Sequence, residues 1–305
     1  GAAYIFRSSD GGATWPSNYT QKLTASDGAS DDFFGISSAI SGDVALVGAN
    51  QADPNGNKNQ GAAYIFRSSD GGATWPSNYT QKLTASDGAS NDNFGLSSAI
   101  AGDVFVVGAP RINSVTGGAY IFRSSNGGVT WPSTETQKLT ASDGFAKDSF
   151  GWSTAISGDV ILVGANGFNS SQGAVYIFRS SDGGVTWPAN YTQKLTASDG
   201  VAKDKFGSAT AISGDVILVG ADGVNSEQGA AYIFRSSDGG VTWPSNYTQK
   251  LTASVGATND EFGSATAISG DVALVGATEA DGGKGAGYIF RSSDGGVTWP
   301  SSETQ

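Results

Sequence analysis

The groups able to do chemistry in this chain are carboxylates, amines and hydroxyls, because its 305 residues include no His, Cys or Met. Without imidazole or thiol there is no His-based triad, no Cys nucleophile, no disulfide and no ordinary zinc or haem site. Carboxylates crowd one loop, where Asp27-Gly28 is followed by Asp31-Asp32. Oxygen ligands suit a hard cation such as calcium, and Asp27, Asp31 and Asp32 are the candidate metal ligands. The loop returns with Asp87-Gly88 and Asp92. Later copies carry Lys147 and Lys203 in its middle, and Val255 replaces the leading Asp. A cation site does not normally tolerate those changes. The other reading is a solvated turn in which Asp caps backbone N–H groups. The expectation is no cofactor, with calcium confined to those three carboxylates.

A glycosidase needs two carboxylates about 5 to 10 Å apart, one with a raised pKa. The chain has Glu only at 135, 227, 261, 279 and 303, none beside an obvious carboxylate partner. Six of its arginines, Arg7, Arg67, Arg123, Arg179, Arg235 and Arg291, occupy one repeated position, and only Arg111 stands apart. P-loop, Gly-x-Ser-x-Gly and metal-helix motifs are missing. A glycosidase-like enzyme is the remote alternative, and a non-enzyme is expected. The net charge of −11 speaks against a nucleic-acid partner. Apolar runs such as Val216-Ile217-Leu218-Val219 fall far short of the roughly 20 residues of a membrane helix, so no membrane insertion is expected. Asn18, Asn78, Asn190 and Asn246 open Asn-Tyr-Thr sequons, and Asn169 opens Asn-Ser-Ser. In a secreted eukaryotic chain all five are glycosylation candidates.

The elements that must position these groups are repeated. Lys-Leu-Thr-Ala-Ser recurs from Lys22, Lys82, Lys138, Lys194 and Lys250, spacings of 60 and then 56 residues. The four extra residues fall in the polar stretch Asn50 to Gln60, where a loop lengthens at little entropic cost. Each unit reads as four short strands: Phe150 to Ile156, Val160 to Gly164, Ala174 to Arg179 and Tyr191 to Ala197 in one copy. They are rich in β-branched and aromatic residues and bounded by Gly, Asn, Asp and Ser. Repeated four-stranded units predict an all-β β-propeller of four-stranded antiparallel blades of about 56 residues. Residues 1–305 then form a single repeat region. A partial blade, an outer hairpin over 1–21, precedes units 22–81, 82–137, 138–193, 194–249 and 250–305.

Two motifs mark the units. Phe34-Gly35 is followed by Gly48-Ala49, Phe94-Gly95 by Gly108-Ala109-Pro110, Phe150-Gly151 by Gly164-Ala165, Phe206-Gly207 by Gly220-Ala221, and Phe262-Gly263 by Gly276-Ala277. Physically, Phe fills the gap between blades and Gly lets backbones approach closely. This pattern resembles the FG-GAP repeat of integrin-α-type propellers and of many surface proteins. The second motif, Ser-x-Asp-x-Gly-x-Thr-Trp, places Asp10, Asp70, Asp182, Asp238 and Asp294, with Asn126 in the third copy, at one turn position. It is similar to the Asp-box of sialidases, and the resemblance implies a structural hairpin turn there. The integrin resemblance also implies a calcium loop between the first two strands, but Ser41-Gly42-Asp43 is too short to supply one. Six tryptophans belong to the Asp-box; the seventh, Trp152, reads as a core filler in preference to a carbohydrate platform facing the propeller axis.

Both ends fall mid-repeat and Met is absent, which predicts a window cut from a longer array. The expected function is a non-enzymatic structural or adhesive repeat glycoprotein at a cell surface, in a matrix or in a filament. Its partners would be further copies of itself or other extracellular proteins and glycans. The alternative is a discrete ligand-binding propeller, a receptor for protein or glycan.

Overall fold

The computed structural model describes residues 1–304. Gln305, where the fifth repeat unit ends, lies outside the described residues. Strands β3 (Ser38–Ser41), β4 (Val44–Ala49), β5 (Ala62–Arg67) and β6 (Gln81–Leu83) form one antiparallel sheet in that order. The pattern returns in β7 (Ser97–Ala101), β8 (Val104–Ala109), β9 (Gly118–Arg123) and β10 (Gln137–Leu139). It continues in β11 (Ser153–Ser157), β12 (Val160–Ala165), β13 (Ala174–Arg179) and β14 (Gln193–Leu195), then in β15 (Ala209–Ser213), β16 (Val216–Ala221), β17 (Ala230–Arg235) and β18 (Gln249–Leu251). A three-stranded sheet follows: β19 (Phe262–Ser269), β20 (Val272–Ala277) and β21 (Ala286–Arg291). Ahead of them all, β1 (Ala3–Ile5) pairs with β2 (Gln21–Leu23) in the register that third and fourth strands use elsewhere, Ala3 facing Leu23 as Val175 faces Leu195.

Burial explains the strand sequences. In the four complete sheets the second strand is buried along its whole length, hence an unbroken apolar run such as Val160-Ile161-Leu162-Val163. In these sheets the third strand is buried up to its closing Arg. That Arg reaches the Asp of the hairpin turn in its own sheet: Arg67 to Asp43 at 3.1 Å, Arg179 to Asp159 at 3.1 Å, Arg235 to Asp215 at 3.2 Å. Arg67, Arg123, Arg179, Arg235 and Arg291 are thus spent one per sheet. Sheet and sequence repeat are out of phase: β11 to β13 come from unit 138–193, whereas β14 runs into unit 194–249.

The chain divides into two compact units, residues 1–112 with 120–138, and residues 113–119 with 139–305. One core of the first unit gathers Leu46, Ile65, Phe94, Phe105, Tyr120 and Trp131, with Phe105 stacked on Trp131 at 3.5 Å between ring centroids. In the second unit, residues of the third and fourth sheets share a core, among them Leu162, Ile177, Phe206, Val219, Phe234 and Trp243.

Phe206 and its successor Gly207 show why the motif has its form. Phe206 is fully buried between the two sheets, and Gly173 of the preceding repeat pairs with it in a single parallel bridge. A Cβ on Gly164 would stand 2.3 Å from the Gly207 carbonyl oxygen, and one on Gly220 would stand 1.9 Å from that of Gly263. The Gly-Ala half of the motif in one repeat therefore meets the Phe-Gly half of the next, backbone against backbone. The Ser153 hydroxyl donates to the Gly207 carbonyl at 2.8 Å and seals the junction.

Candidate functional site

Two loops per repeat stand beyond the strand ends: the acidic loop before Phe-Gly and the variable loop between second and third strands. In the acidic loop the invariant Asp is an internal cap. Asp32 accepts the Ala29 amide at 2.7 Å, Asp92 that of Ala89, Asp148 that of Phe145, Asp204 that of Val201 and Asp260 that of Ala257. The leading Asp has another partner. Asp27 takes Lys82 at 2.9 Å, and Asp143 and Asp199 take Lys194 and Lys250 at 2.6 Å. Asp87 takes both Lys138 and, at 2.7 Å, the Tyr120 hydroxyl. Burial pushes the Asp87 carboxyl up, but the bonds from Lys138 and Tyr120 outweigh it and hold the group below its ordinary value. The buried phenols answer in the opposite sense. Burial is the main cause that pushes Tyr232 up to about 12.

These contacts decide how the calcium candidates stand. Asp27 is held by a lysine, Asp32 is spent on a backbone amide, and Asp31 sits exposed at φ 69. Among the described residues no three acidic side chains gather closely enough to hold a metal ion. An ammonium group inside the donor set opposes a cation, so these residues do not fit calcium.

The variable loop makes one left-handed turn. Asn169, Ser170 and Ser171 have φ of 48, 62 and 63, and Asn225, Ser226 and Glu227 have 51, 59 and 64. Non-glycine residues avoid this region unless their surroundings hold them there. Here the neighbouring acidic loop does so. Lys203 N donates to Ser170 O at 3.2 Å, Lys205 N to Ser171 O at 2.8 Å and Phe206 N to Gln172 O at 3.0 Å. One repeat later Asn259, Glu261 and Phe262 repeat these bonds to Ser226, Glu227 and Gln228. The loops are therefore laced into a continuous surface within the second unit.

Clefts open along this surface. One, of about 500 Å³, lies among Phe145, Lys147, Phe168, Asn169 and Ser170. The next, of about 720 Å³, lies among Val201, Lys203, Lys205, Asn225 and Glu227, and Ser171 borders both. A cleft of about 310 Å³ occupies the matching place in the first unit, beside Asp31, Asp53, Lys58 and Lys82. Lys205 and Glu227 pair at 3.1 Å. The bonds that lace loop to loop are mainly between backbone groups, joined by the Gln172 side-chain amide, which donates to the Gly200 carbonyl at 2.7 Å.

Comparison with known proteins places these repeats in a family. A family model described as FG-GAP repeat matches residues 18–66, 78–122, 133–178, 190–234 and 246–290, more than half of the chain. The chain belongs to the FG-GAP repeat family. FG-GAP repeats form propeller blades, and the repeated four-stranded sheets are those blades. Over 163 residues, 49% of its length, the chain is 30% identical to integrin alpha-2 of Bos taurus. Over 166 residues, 50% of its length, it is 31% identical to integrin alpha-2 of Mus musculus. It spans only 13% and 14% of the length of those relatives. No helix among the described residues is long and apolar enough to cross a membrane.

The FG-GAP blades carry their Asp-box hairpins as closed hydrogen-bond circuits. Asp182 accepts the Thr186 amide at 2.8 Å, the Thr186 hydroxyl at 2.7 Å and the Ser180 hydroxyl at 2.7 Å, while Ser180 Oγ accepts Gly184 N at 2.8 Å. Asp10, Asp70, Asp238 and Asp294 do the same, and Asn126 keeps the circuit by donating from its amide to Thr130 Oγ1 at 2.8 Å. The bond from the Thr186 hydroxyl leads those that hold the Asp182 carboxyl down to about 2. A depressed carboxyl stabilises the fold in full above the ordinary Asp value near 3.8, and loses that contribution as pH falls towards 2. Accordingly, Asp182→Ala lowers Tm at pH 7, whereas Asp182→Asn, the residue natural at 126, nearly preserves it. Melting curves between pH 2 and 7 check both, and the wild-type advantage over Asp182→Ala shrinks below about pH 4.

The sequon asparagines Asn18, Asn78, Asn190 and Asn246 are exposed at hairpin ends, and Asn169 is exposed at the 500 Å³ cleft. The rest of the copied sequon has a folding role. Tyr79, Tyr191 and Tyr247 pack edge-on against Tyr64, Tyr176 and Tyr232, and the Thr80 and Thr248 hydroxyls accept the Arg67 and Arg235 amides. Where Glu135 and Glu303 replace the Tyr, the carboxylate instead binds Ser86 and Ser254.

One expectation is corrected. Trp152 is no core filler: it is 37% exposed and stands ahead of the strand that begins at Ser153, as the exposed Ile36 stands ahead of β3. Sequence reasoning also missed Phe145 and Phe168, which line a cleft. The signal was present. They stand where other repeats have Ala29, Ala89, Val201 and Ala257, or Ile112, Val224 and Ala280.

Proposed function

We propose that this FG-GAP chain is a non-enzymatic extracellular adhesive repeat protein. Its blades are a scaffold, and its loop surface meets other extracellular proteins, glycans or further copies of itself. The observation that carries this reading is where the repeats differ. Strand, junction and Asp-box residues recur from copy to copy with the same bonds, while departures concentrate in the acidic and variable loops. A scaffold under constant constraint with variation concentrated in one loop set is the arrangement of a binding module. The likeness to a segment of integrin alpha-2 supports a cell-surface setting. A discrete receptor-like propeller is the second reading, favoured by the clefts of the second unit.

Beads coated with the protein test the proposal. The expected result is clustering of the beads, or their attachment to the outer surface of cells from the source. Inert beads, or turnover of chromogenic glycosides by the purified protein, would overturn it. Electron microscopy of protein isolated from its source then separates the two readings, since filaments favour the structural and adhesive one and discrete particles the receptor.

A further inference from the structure

Repeat symmetry breaks in neighbouring loops of the second unit, and the breaks are of one chemical kind. Where the first two acidic loops place Ala29 and Ala89, the third and fourth place Phe145 and Val201, 73% and 63% exposed. Where other copies place Asp31, Asn91 and Asn259, these two place Lys147 and Lys203. Both lysines hold φ near 77, a conformation that Asn and Asp adopt more readily than Lys. The chain carries lysine there against its backbone preference.

Most of the surrounding acids are engaged, and Asp222 and Glu261 lie close enough to act on Lys205. Asp148 and Asp204 are buried and accept loop amides, Asp143 and Asp199 hold Lys194 and Lys250, and Glu227 holds Lys205. The Lys147 and Lys203 ammonium groups are exposed and have no ion-pair partner among the described residues. In a chain of net charge −11, Lys147 and Lys203 are thus two exposed positive charges without an ion-pair partner. Between the two lysines lie Phe168, Asn169, Ser170 and Ser171, whose loop is hydrogen-bonded to Lys203 and Lys205.

Aromatic rings beside hydroxyl and amide groups match a pyranose, which has apolar C–H faces and a polar edge. Unpaired ammonium groups add a preference for carboxylate or sulfate. Two adjoining clefts that share Ser171 suit an extended chain better than a single sugar. We propose that loops 145–149, 167–171, 201–205 and 223–227 form a binding site for an acidic polysaccharide, an assignment that rests on the adhesive reading above.

The test uses full-length protein produced without N-glycosylation, because Asn169 lines the cleft. Heparin oligosaccharides, polyguluronate oligosaccharides, neutral dextran and polyglutamate are titrated by calorimetry. Binding to heparin or polyguluronate is expected, with dextran inert, and the stronger of the two identifies sulfate or carboxylate as the group read. The variant Lys147→Asn with Lys203→Asn restores the residue of Asn91 and Asn259, so its fold is kept, as a melting curve verifies. Its affinity falls about tenfold or more, the loss expected for charge-assisted contacts. Phe145→Ala, which restores the residue of Ala29, also weakens binding. No binding to either acidic polysaccharide, equal binding to polyglutamate, or an unchanged affinity in the double-lysine variant would overturn the assignment. Beads that still adhere after such a failure leave the adhesive reading standing; inert beads with intact heparin binding do the reverse.

Discussion

Gly229→Ala destabilises the second unit by about 2 to 5 kcal/mol, among the largest effects available to a single methyl group. Two costs add. Gly229 sits at φ 88, where an L-residue is disfavoured by about 1 to 2 kcal/mol. Its new Cβ would also stand 1.9 Å from the Phe262 carbonyl oxygen and 2.7 Å from the Phe262 carbonyl carbon. Both are backbone atoms fixed by the parallel bridge between Gly229 and Phe262, so no side chain can swing aside. Overpacking of that kind costs a further 1 to 3 kcal/mol, roughly. Gly183→Ala is the control. Gly183 has φ 71, yet nothing lies within 4 Å of its Cβ position. Only the conformational cost of about 1 to 2 kcal/mol applies there. Urea denaturation of both variants checks the difference. Equal losses would show that the backbone approach at the repeat junction is not the constraint that keeps this glycine.

The comparison between Gly229 and Gly183 also shows what was legible in the sequence. The strands were legible because a four-residue, β-branched apolar run bounded by Gly and Asp is too short for a helix and reads as a buried strand. The Phe-Gly and Gly-Ala motif could be read as close backbone approach, but not that its two halves pair between successive repeats. The acidic loop shows the limit most clearly. The capping role of Asp32 is local and was within reach, since its partner Ala29 is three residues away. The role of Asp27 was not, because Lys82 lies 55 residues along the chain and reaches it only through the stacking of one repeat on the next. The left-handed turns at Asn169 to Ser171 and Asn225 to Glu227 had no sequence signal beyond Asn, as Ser and Glu are held in that conformation by hydrogen bonds from the following repeat. Trp152 was misread because the residue after Phe-Gly was assigned to the strand, whereas the strand begins at Ser153. Phe145 and Phe168 escaped notice because strand periodicity says nothing about loops. Only their departure from the other copies marks them.

Phe206→Ala is expected to cost about 3 to 5 kcal/mol, the range for removing a fully buried phenylalanine that leaves a cavity. The side chain is completely buried and packs edge-on against Tyr232 at 5.5 Å and Phe234 at 6.0 Å, in a core that also draws Leu162 and Ile177 from the third sheet. Collapse onto the void is resisted from both sides, because the junction backbone is pinned by the bond from Gly207 N to Gly220 O and by the bridge between Gly173 and Phe206. Incomplete collapse puts the loss toward the upper part of that range. Phe145→Ala removes the same atoms from a ring that is mostly in water, and its effect stays within about 0.5 kcal/mol. The pair separates the two uses of phenylalanine in one repeat family, since the first variant lowers stability and the second leaves it unchanged while reducing polysaccharide binding. Denaturant midpoints for both decide the matter. A tolerated Phe206→Ala would mean that the backbone contacts at the junction, and not the aromatic plug, hold the third and fourth blades together.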